Sequence, residues 1–111
     1  MASSSLGKTA DVDNTPAVAQ ALSALIDRWR TETSQISSST ERILHPAYQQ
    51  IIGMGPEVVP LLLKELRDNG GHWFWALSCI TRENPVSDED EGNVPKMRDV
   101  WLDWGKNKGY L

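Results

Sequence analysis

Residues 70–80 read GGHWFWALSCI, and this stretch decides how the rest of the sequence is interpreted. It contains three of the eight aromatic residues of the chain, its single cysteine and one of its two histidines. The helical spacing i, i+3, i+4, i+7 is occupied by Trp73, Ala76, Leu77 and Ile80. Phe74, Trp75 and Cys79 leave little of the remaining circumference polar, which predicts a helix contacted on more than one side. We therefore interpret the stretch as the core of a small helical protein.

The reactive side chains of this stretch do not form a catalytic pair. His72 and Cys79 are seven residues apart, or about 10 Å along a helix axis, whereas a nucleophile and its base must lie within about 3 Å. We expect His72 to be a partly solvated residue at the helix start and Cys79 to be a small core residue. His45 follows Glu41 by one turn, a pairing that can tune a base, but nothing nearby in sequence supplies a nucleophile or an oxyanion hole. The sequence thus predicts no catalytic residue and no enzyme.

The sequence also predicts no metal and no cofactor. It contains neither an HExxH motif nor the Cys/His spacing of a zinc site. The acidic run Asp88–Gly92 does not fit a calcium-binding EF-hand loop, because its glycine is fifth and such loops need it sixth. The glycines fit no phosphate-binding pattern. We expect the acidic run to be a solvated connector between two helices.

Apolar periodicity on both sides of the stretch predicts an all-α fold, a small bundle of four to five helices. A first helix is expected from Thr15 and Pro16 to about Thr33, since proline suits the first helical turn. Ser38 and Glu41 form a capping-box pattern. Pro46 either kinks a helix over 39–53 or begins a new one, and the sequence leaves both open. Further helices are predicted at 57–67, 72–82 and 93–105.

Length and composition restrict the classes to which the protein can belong. The 111 residues suffice for a single helical domain, expected over 15–111, with residues 1–14 as a flexible N-terminal tail. A net charge of −4 argues against a general nucleic-acid binder or a protein of anionic membrane surfaces. No apolar run reaches the ~20 residues of a membrane span, and the N-terminus lacks the apolar region of a secretory signal. We expect a cytoplasmic location.

Residues 53–82 resemble a single HEAT-type helical hairpin. The likeness lies in GPEVVPLLLKEL at 55–66, a short Asn-Gly-Gly turn and the following segment Trp73–Ile80. It implies two antiparallel helices at the centre of the bundle, with one face of each packed on the other. More broadly, residues 43–111 are similar to short bacterial proteins that are known only as uncharacterised. That second resemblance carries no catalytic residue.

Five tryptophans are many for a chain of this length, and they supply the functional hypothesis. Trp29, Trp73 and Trp101 are expected in the interior, whereas Trp75 and Trp104 have polar helical neighbours and are expected to reach the surface. Exposed tryptophan is typical of contact surfaces. The predicted partner-binding residues are Trp75, Arg82, Trp104 and Lys108.

We therefore expect a non-enzymatic protein–protein interaction module, of which an antitoxin, an immunity protein or an operon accessory factor is an example. A second copy of the chain is also a candidate partner, through a homodimer. The alternative is a nucleic-acid-associated helical protein that uses the basic residues Arg28, Arg30, Arg42, Lys96, Arg98, Lys106 and Lys108.

Overall fold

The computed structural model describes the backbone of residues 2–111 and the side chains of residues 16–111. Over residues 2–111 the chain forms helices, turns and loops but no β-strand, which confirms the predicted all-α fold. Two short 3-10 turns, Gly55–Val58 and Asp88–Asp90, accompany the α-helices. These helices are α1 (Ala2–Thr33), α2 (Ser39–Ile43), α3 (Pro46–Gly53), α4 (Val59–Asn69), α5 (Phe74–Thr81) and α6 (Val94–Asn107).

The first helix is longer than predicted. Helix α1 begins at Ala2, and Pro16 lies inside it, so the expected start at Thr15 is wrong. Residues 2–14 contain no proline, so every residue of this segment can supply the backbone N–H that a continuing helix needs. The predicted flexibility of residues 1–14 stays a prediction, because Met1 and the side chains of this segment lie outside the described part of the chain.

Pro46 begins a helix, which decides between the two alternatives. Residues 39–53 therefore contain two helices, and with six α-helices over residues 2–111 the predicted count of four to five is wrong. Helix α2 ends at Ile43, and His45 has the extended backbone of an N-cap residue, with φ −60° and ψ 139°. The His45 Nδ1 atom accepts a hydrogen bond from the backbone N–H of Ala47 at 3.0 Å. Pro46 then occupies the first helical position, where a missing N–H costs little.

The core is built around three aromatic rings from different parts of the chain. Trp73 and Tyr48 are stacked, with centroids 5.5 Å apart and an interplanar angle of 10°. Trp29 of α1 packs against both rings, at 4.9 Å from Trp73 and 5.7 Å from Tyr48. Trp101 of α6 is also buried, so the three tryptophans expected in the interior are found there. The other fully buried large residues are Ile51, Val58, Val59, Leu62, Leu63, Leu66 and Leu77.

Tyr48 also fixes the start of α5. Its hydroxyl donates to the backbone carbonyl of His72 at 2.5 Å and accepts from the backbone N–H of Ala76 at 2.9 Å. Trp73, the N-cap residue of α5, makes no side-chain capping hydrogen bond. Since the first N–H groups of a helix need acceptors from outside it, the hydroxyl of α3 takes the part of the capping side chain.

Helices α4 and α5 are joined by Gly70 and Gly71, which both have positive φ, 71° and 109°. A Cβ on Gly71 would lie 2.7 Å from the indole Nε1 of Trp73, so the loop passes directly over the buried ring. Helix α5 contacts α3, α4 and α6, as expected for its mostly apolar surface. The hairpin of α4 and α5 lies where the sequence predicts a HEAT-type unit, and its membership of that class stays a prediction.

Helix α6 closes the bundle against α4. Gly105 is buried, and a Cβ there would lie 2.7 Å from Cδ1 of Leu63, so the absence of a side chain allows the two helices to approach closely. Among the described residues, no helix combines the length and the apolar character that crossing a membrane requires.

Candidate functional site

The four predicted partner-binding residues lie on α5 and α6 or at their C-terminal ends, and two of them contact Glu83. Trp75 is in the first turn of α5, and Arg82 is its C-cap residue. Trp104 Nε1 donates to Oε1 of Glu83 at 3.2 Å, and Lys108 Nζ lies 3.6 Å from Oε2 of the same carboxylate. Lys108 Nζ is also 5.8 Å from the centroid of the Trp104 ring. Glu83 thus joins the end of α6 to the end of α5.

A groove of about 570 Å³ lies beside this cluster, and we call it the Trp75 groove. Its apolar wall is formed by Phe74, Trp75 and Met97. Its polar rim is formed by Ser78, Arg82, Glu83, Asn84 and Glu91. Trp75 and Arg82 therefore line the groove directly, whereas Trp104 and Lys108 do not and act on it only by holding Glu83.

Trp75 is the most conspicuous apolar residue of this surface. Its relative exposure is 53%, although a tryptophan carries one of the largest apolar surfaces of any side chain. Together with Phe74, it also lines a second groove of about 220 Å³ on the α2 side, next to Ile43 and His72. The two rings therefore form a ridge between two concave surfaces.

The backbone next to the groove is strained at Arg82. This residue has φ 60° and ψ 27°, the left-handed conformation that glycine usually supplies at a helix C-terminus. Its N–H donates to the carbonyl of Ser78 at 2.8 Å, which ends α5. Among residues 2–111, it is the one non-glycine residue with positive φ. Such outliers concentrate at functional sites, where the side chain is needed despite the strain.

Of the eight residues that line the groove, the sequence predicts two as partner-binding residues, Trp75 and Arg82, and misses the other six. Met97 has the i, i+3, i+4, i+7 spacing of a buried helix face, and Glu91 lies in the predicted solvated connector, yet both line the groove with Trp75. Phe74 belongs to the stretch that we interpret as core, but it is only half-buried. The signal for Met97 was weak, because its spacing on α6 is that of a core residue. Only the packing of α6 beside α5 shows that one edge of the Met97 side chain lines the groove.

The surroundings of His72 and of Cys79 both favour the neutral form of the side chain. His72 is exposed, and its Nε2 lies 3.1 Å from Nη1 of Arg42 rather than near an acid. Partial burial and the charge of Arg42 lower the pKa of the imidazole. Cys79 is half-buried and is not the core residue that the sequence predicts, because α5 turns this face toward the surface. Burial raises the pKa of the thiol and so favours its protonated form.

His45 is part of the fold's hydrogen bonding. Its Nε2 lies 2.9 Å from Oε1 of Glu32, so its carboxylate partner comes from α1 and is not Glu41. Its Nδ1 is used as the cap of α3. With both ring nitrogens engaged, the geometry favours a structural role. Among the residues whose side chains are described, no group of three or more histidine, cysteine or acidic side chains could hold a metal ion.

The basic residues of the nucleic-acid alternative are largely engaged within the protein. Arg28 pairs with Glu32 and Arg30 with Glu65. Lys96 and Lys108 pair with Asp90 and Glu83, at 3.8 and 3.6 Å, and Arg42 donates to the carbonyl of Ile36 at 2.5 Å. These carboxylates reduce the positive potential that a phosphate backbone would require.

Comparison of the chain with protein-family models, with curated proteins and with solved structures finds no match.

Proposed function

We propose that this chain is a non-enzymatic protein-interaction module and that the Trp75 groove is its binding surface. The observation that carries the proposal is the exposed indole of Trp75, placed between two grooves and next to the strained Arg82. Tryptophan and arginine are the residues most enriched at the energetic centres of protein interfaces.

The apolar area involved is sufficient for a measurable contribution to affinity. A tryptophan offers about 150–250 Å² of surface, and about half of it is exposed here. Burial of about 100 Å² at ~25 cal/mol per Å² is worth about 2.5 kcal/mol. Since 1.4 kcal/mol is a factor of ten, the substitution Trp75→Ala should weaken binding about 50-fold.

The likeness of residues 53–82 to a HEAT-type hairpin, and of residues 43–111 to short bacterial proteins, supports a setting in the bacterial cytoplasm. An antitoxin, an immunity protein or an operon accessory factor would have a protein partner of its own there. The geometry of residues 16–111 supports a binding role over an enzymatic one, because it activates neither His45, His72 nor Cys79.

The experiment is site-specific photocrosslinking in the native host. A benzophenone amino acid is placed at position 75 in one strain and at Gln50, an exposed residue of α3, in a second strain. We expect a discrete, stoichiometric protein adduct from position 75 and none from position 50. Affinity purification with Trp75→Ala should then lose the same protein.

The control for exposed apolar surface in general is Leu44→Ala. Leu44 is 63% exposed and lines neither groove, so this variant should keep the partner. Recovery of no stoichiometric protein by the unsubstituted chain would contradict the proposal. So would equal recovery by the unsubstituted chain and by Trp75→Ala.

A gel-shift titration with double-stranded DNA and with RNA tests the alternative function. We expect no shift at micromolar protein and low salt. A shift that disappears steeply as salt is raised would favour the nucleic-acid reading instead.

A further inference from the structure

The negative charge of the protein is concentrated in one segment beside the Trp75 groove. Residues 83–91 contain five acidic side chains and no basic one, a formal charge of −5. The whole chain carries −4, so all other residues together sum to +1. The acidic character of the protein is therefore a local property of this segment, which we call the acidic connector.

The acidic connector borders the groove, and much of its charge is unneutralised. Glu83 and Glu91 line the groove itself. Lys108 approaches Glu83, and Lys96 approaches Asp90. The other three carboxylates are exposed and make no ion pair with any residue whose side chain the structure describes; they are Asp88, Glu89 and Glu91.

The groove places an apolar wall beside the acidic connector, whose negative charge outweighs the single guanidinium of Arg82 on the polar rim. This arrangement is complementary to a segment that is apolar on one side and basic on the other. The wall is provided by Phe74, Trp75 and Met97. Residues 2–111 offer no strand edge to which an extended peptide could add, so β-augmentation is not available here. A groove beside two helices suits the mode in which an amphipathic helix lays its apolar face between them.

We propose that the occupant of the Trp75 groove is a basic amphipathic helix of a partner protein. Its apolar side chains contact Trp75 and Met97, and its lysine or arginine side chains face Asp88, Glu89 and Glu91. This inference rests on the proposed function and specifies the chemistry of the partner. Charge also argues against a second copy of the chain, because a symmetric contact through the groove would bring two acidic connectors together and oppose association.

The test uses two labelled probe peptides of about 18 residues with leucine at the i, i+3, i+4, i+7 positions. One peptide carries lysine at the remaining positions and the other carries glutamate. Binding to the full chain is measured by fluorescence anisotropy at about 50 mM and about 300 mM salt, since screening weakens exposed charge pairs. We expect the lysine peptide to bind at low salt and the glutamate peptide to show no binding.

The site is tested with two triple variants that change the net charge equally. Asp88→Asn/Glu89→Gln/Glu91→Gln removes the three unpaired charges of the acidic connector and should weaken binding of the lysine peptide about tenfold. The matched control neutralises three exposed acids elsewhere and should change the affinity less than about twofold; its substitutions are Glu57→Gln, Asp68→Asn and Asp103→Asn. The substitution Trp75→Ala should weaken the same peptide about 50-fold.

Several results would overturn the inference. Equal weakening by the two triple variants would mean that the peptide responds to net charge and not to the groove. Equal binding of the two peptides would remove the requirement for a basic partner. A dimer in sedimentation velocity that Trp75→Ala dissociates would identify a second copy as the occupant.

Failure of this inference is distinguishable from failure of the proposed function. A native adduct at position 75, combined with peptide binding that the triple variant of the acidic connector does not weaken, would support the proposed binding function. The same result would reject a basic helix as the occupant of the groove. Absence of any native adduct would reject the proposed function itself.

Discussion

Replacing Tyr48 by phenylalanine removes one oxygen atom from the centre of the protein and two hydrogen bonds with it. The hydroxyl accepts from the N–H of Ala76 and donates to the carbonyl of His72, and the ring is fully buried. Phenylalanine retains the ring and its stacking on Trp73. The substitution therefore isolates the hydroxyl that caps α5 from another helix.

The expected loss of stability is about 2 kcal/mol. A buried donor left without a partner costs about 1–3 kcal/mol, and loss of a helix cap costs about 1 kcal/mol. Ala76 is fully buried, so water does not replace the oxygen at its N–H. The hydrogen bond to the carbonyl of His72 is only partly buried, so its loss costs less than that of the bond from Ala76. For a domain of this size, the melting temperature should fall by roughly 10 °C.

The same hydroxyl makes stability depend on alkaline pH. Burial raises the pKa of Tyr48 above its ordinary value of 10.0. The unfolded chain therefore loses this proton at a lower pH than the folded protein does. The contribution is complete below about pH 10 and is lost as the pH rises above it toward the raised folded pKa. The stability difference between the natural chain and Tyr48→Phe should accordingly shrink above pH 10.

Urea unfolding followed by tryptophan fluorescence measures the loss, and amide hydrogen exchange at Ala76 locates it. The control is Tyr110→Phe, which removes a hydroxyl from an exposed ring and should change stability by less than about 0.5 kcal/mol. A Tyr48→Phe variant within about 0.5 kcal/mol of the natural chain would refute the capping role. So would unchanged exchange at Ala76.

Substitutions at Gly71, His45 and Arg82 test three other local features, each by the urea midpoint. Gly71→Ala should lower the free energy of unfolding by about 3 kcal/mol, because the added Cβ meets the ring of Trp73. Gly92→Ala introduces only an unfavourable φ and should lower it by about 1 kcal/mol. Equal losses in the two variants would contradict the contact with Trp73. His45→Ala should cost about 1 kcal/mol and His45→Asn should restore most of it, since asparagine also caps a helix; no rescue would count against the cap. Arg82→Gly should gain about 0.5 kcal/mol by relieving the left-handed backbone, and a loss would contradict the strain.

Helical periodicity predicted the parts of the fold that depend on one segment at a time. The interior positions of Trp29, Trp73 and Trp101 followed from spacing alone, because a buried helix face repeats every three to four residues. The choice between the two alternatives at Pro46 depends on side-chain hydrogen bonds that helical periodicity does not predict. His45 caps α3 while its other nitrogen meets Glu32, a residue 13 positions away on α1.

The groove could be predicted only in part, for a related reason. Trp75 and Arg82 were found because both stand out on a single helix. The exposed edge of Met97 and the contacts of Glu83 depend on α6 lying beside α5. The apolar periodicity of either helix does not indicate which helix it packs against. The predicted start of α1 is wrong for the opposite reason, because it relied only on the preference of proline for the first helical turn. Proline usually begins a helix, but Pro16 lies inside this one.

Three features of α5 and of the acidic connector that follows it lower stability or solubility rather than raise it, and they have no common structural cause. An exposed indole at position 75 adds nothing to the core, and an arginine at position 82 strains a backbone that glycine would fit. The five carboxylates of residues 83–91 repel one another, whereas mixed charges would not. Departures of this kind are expected where a sequence serves binding instead of folding. Their convergence on one groove supports a binding surface more strongly than any of them does alone.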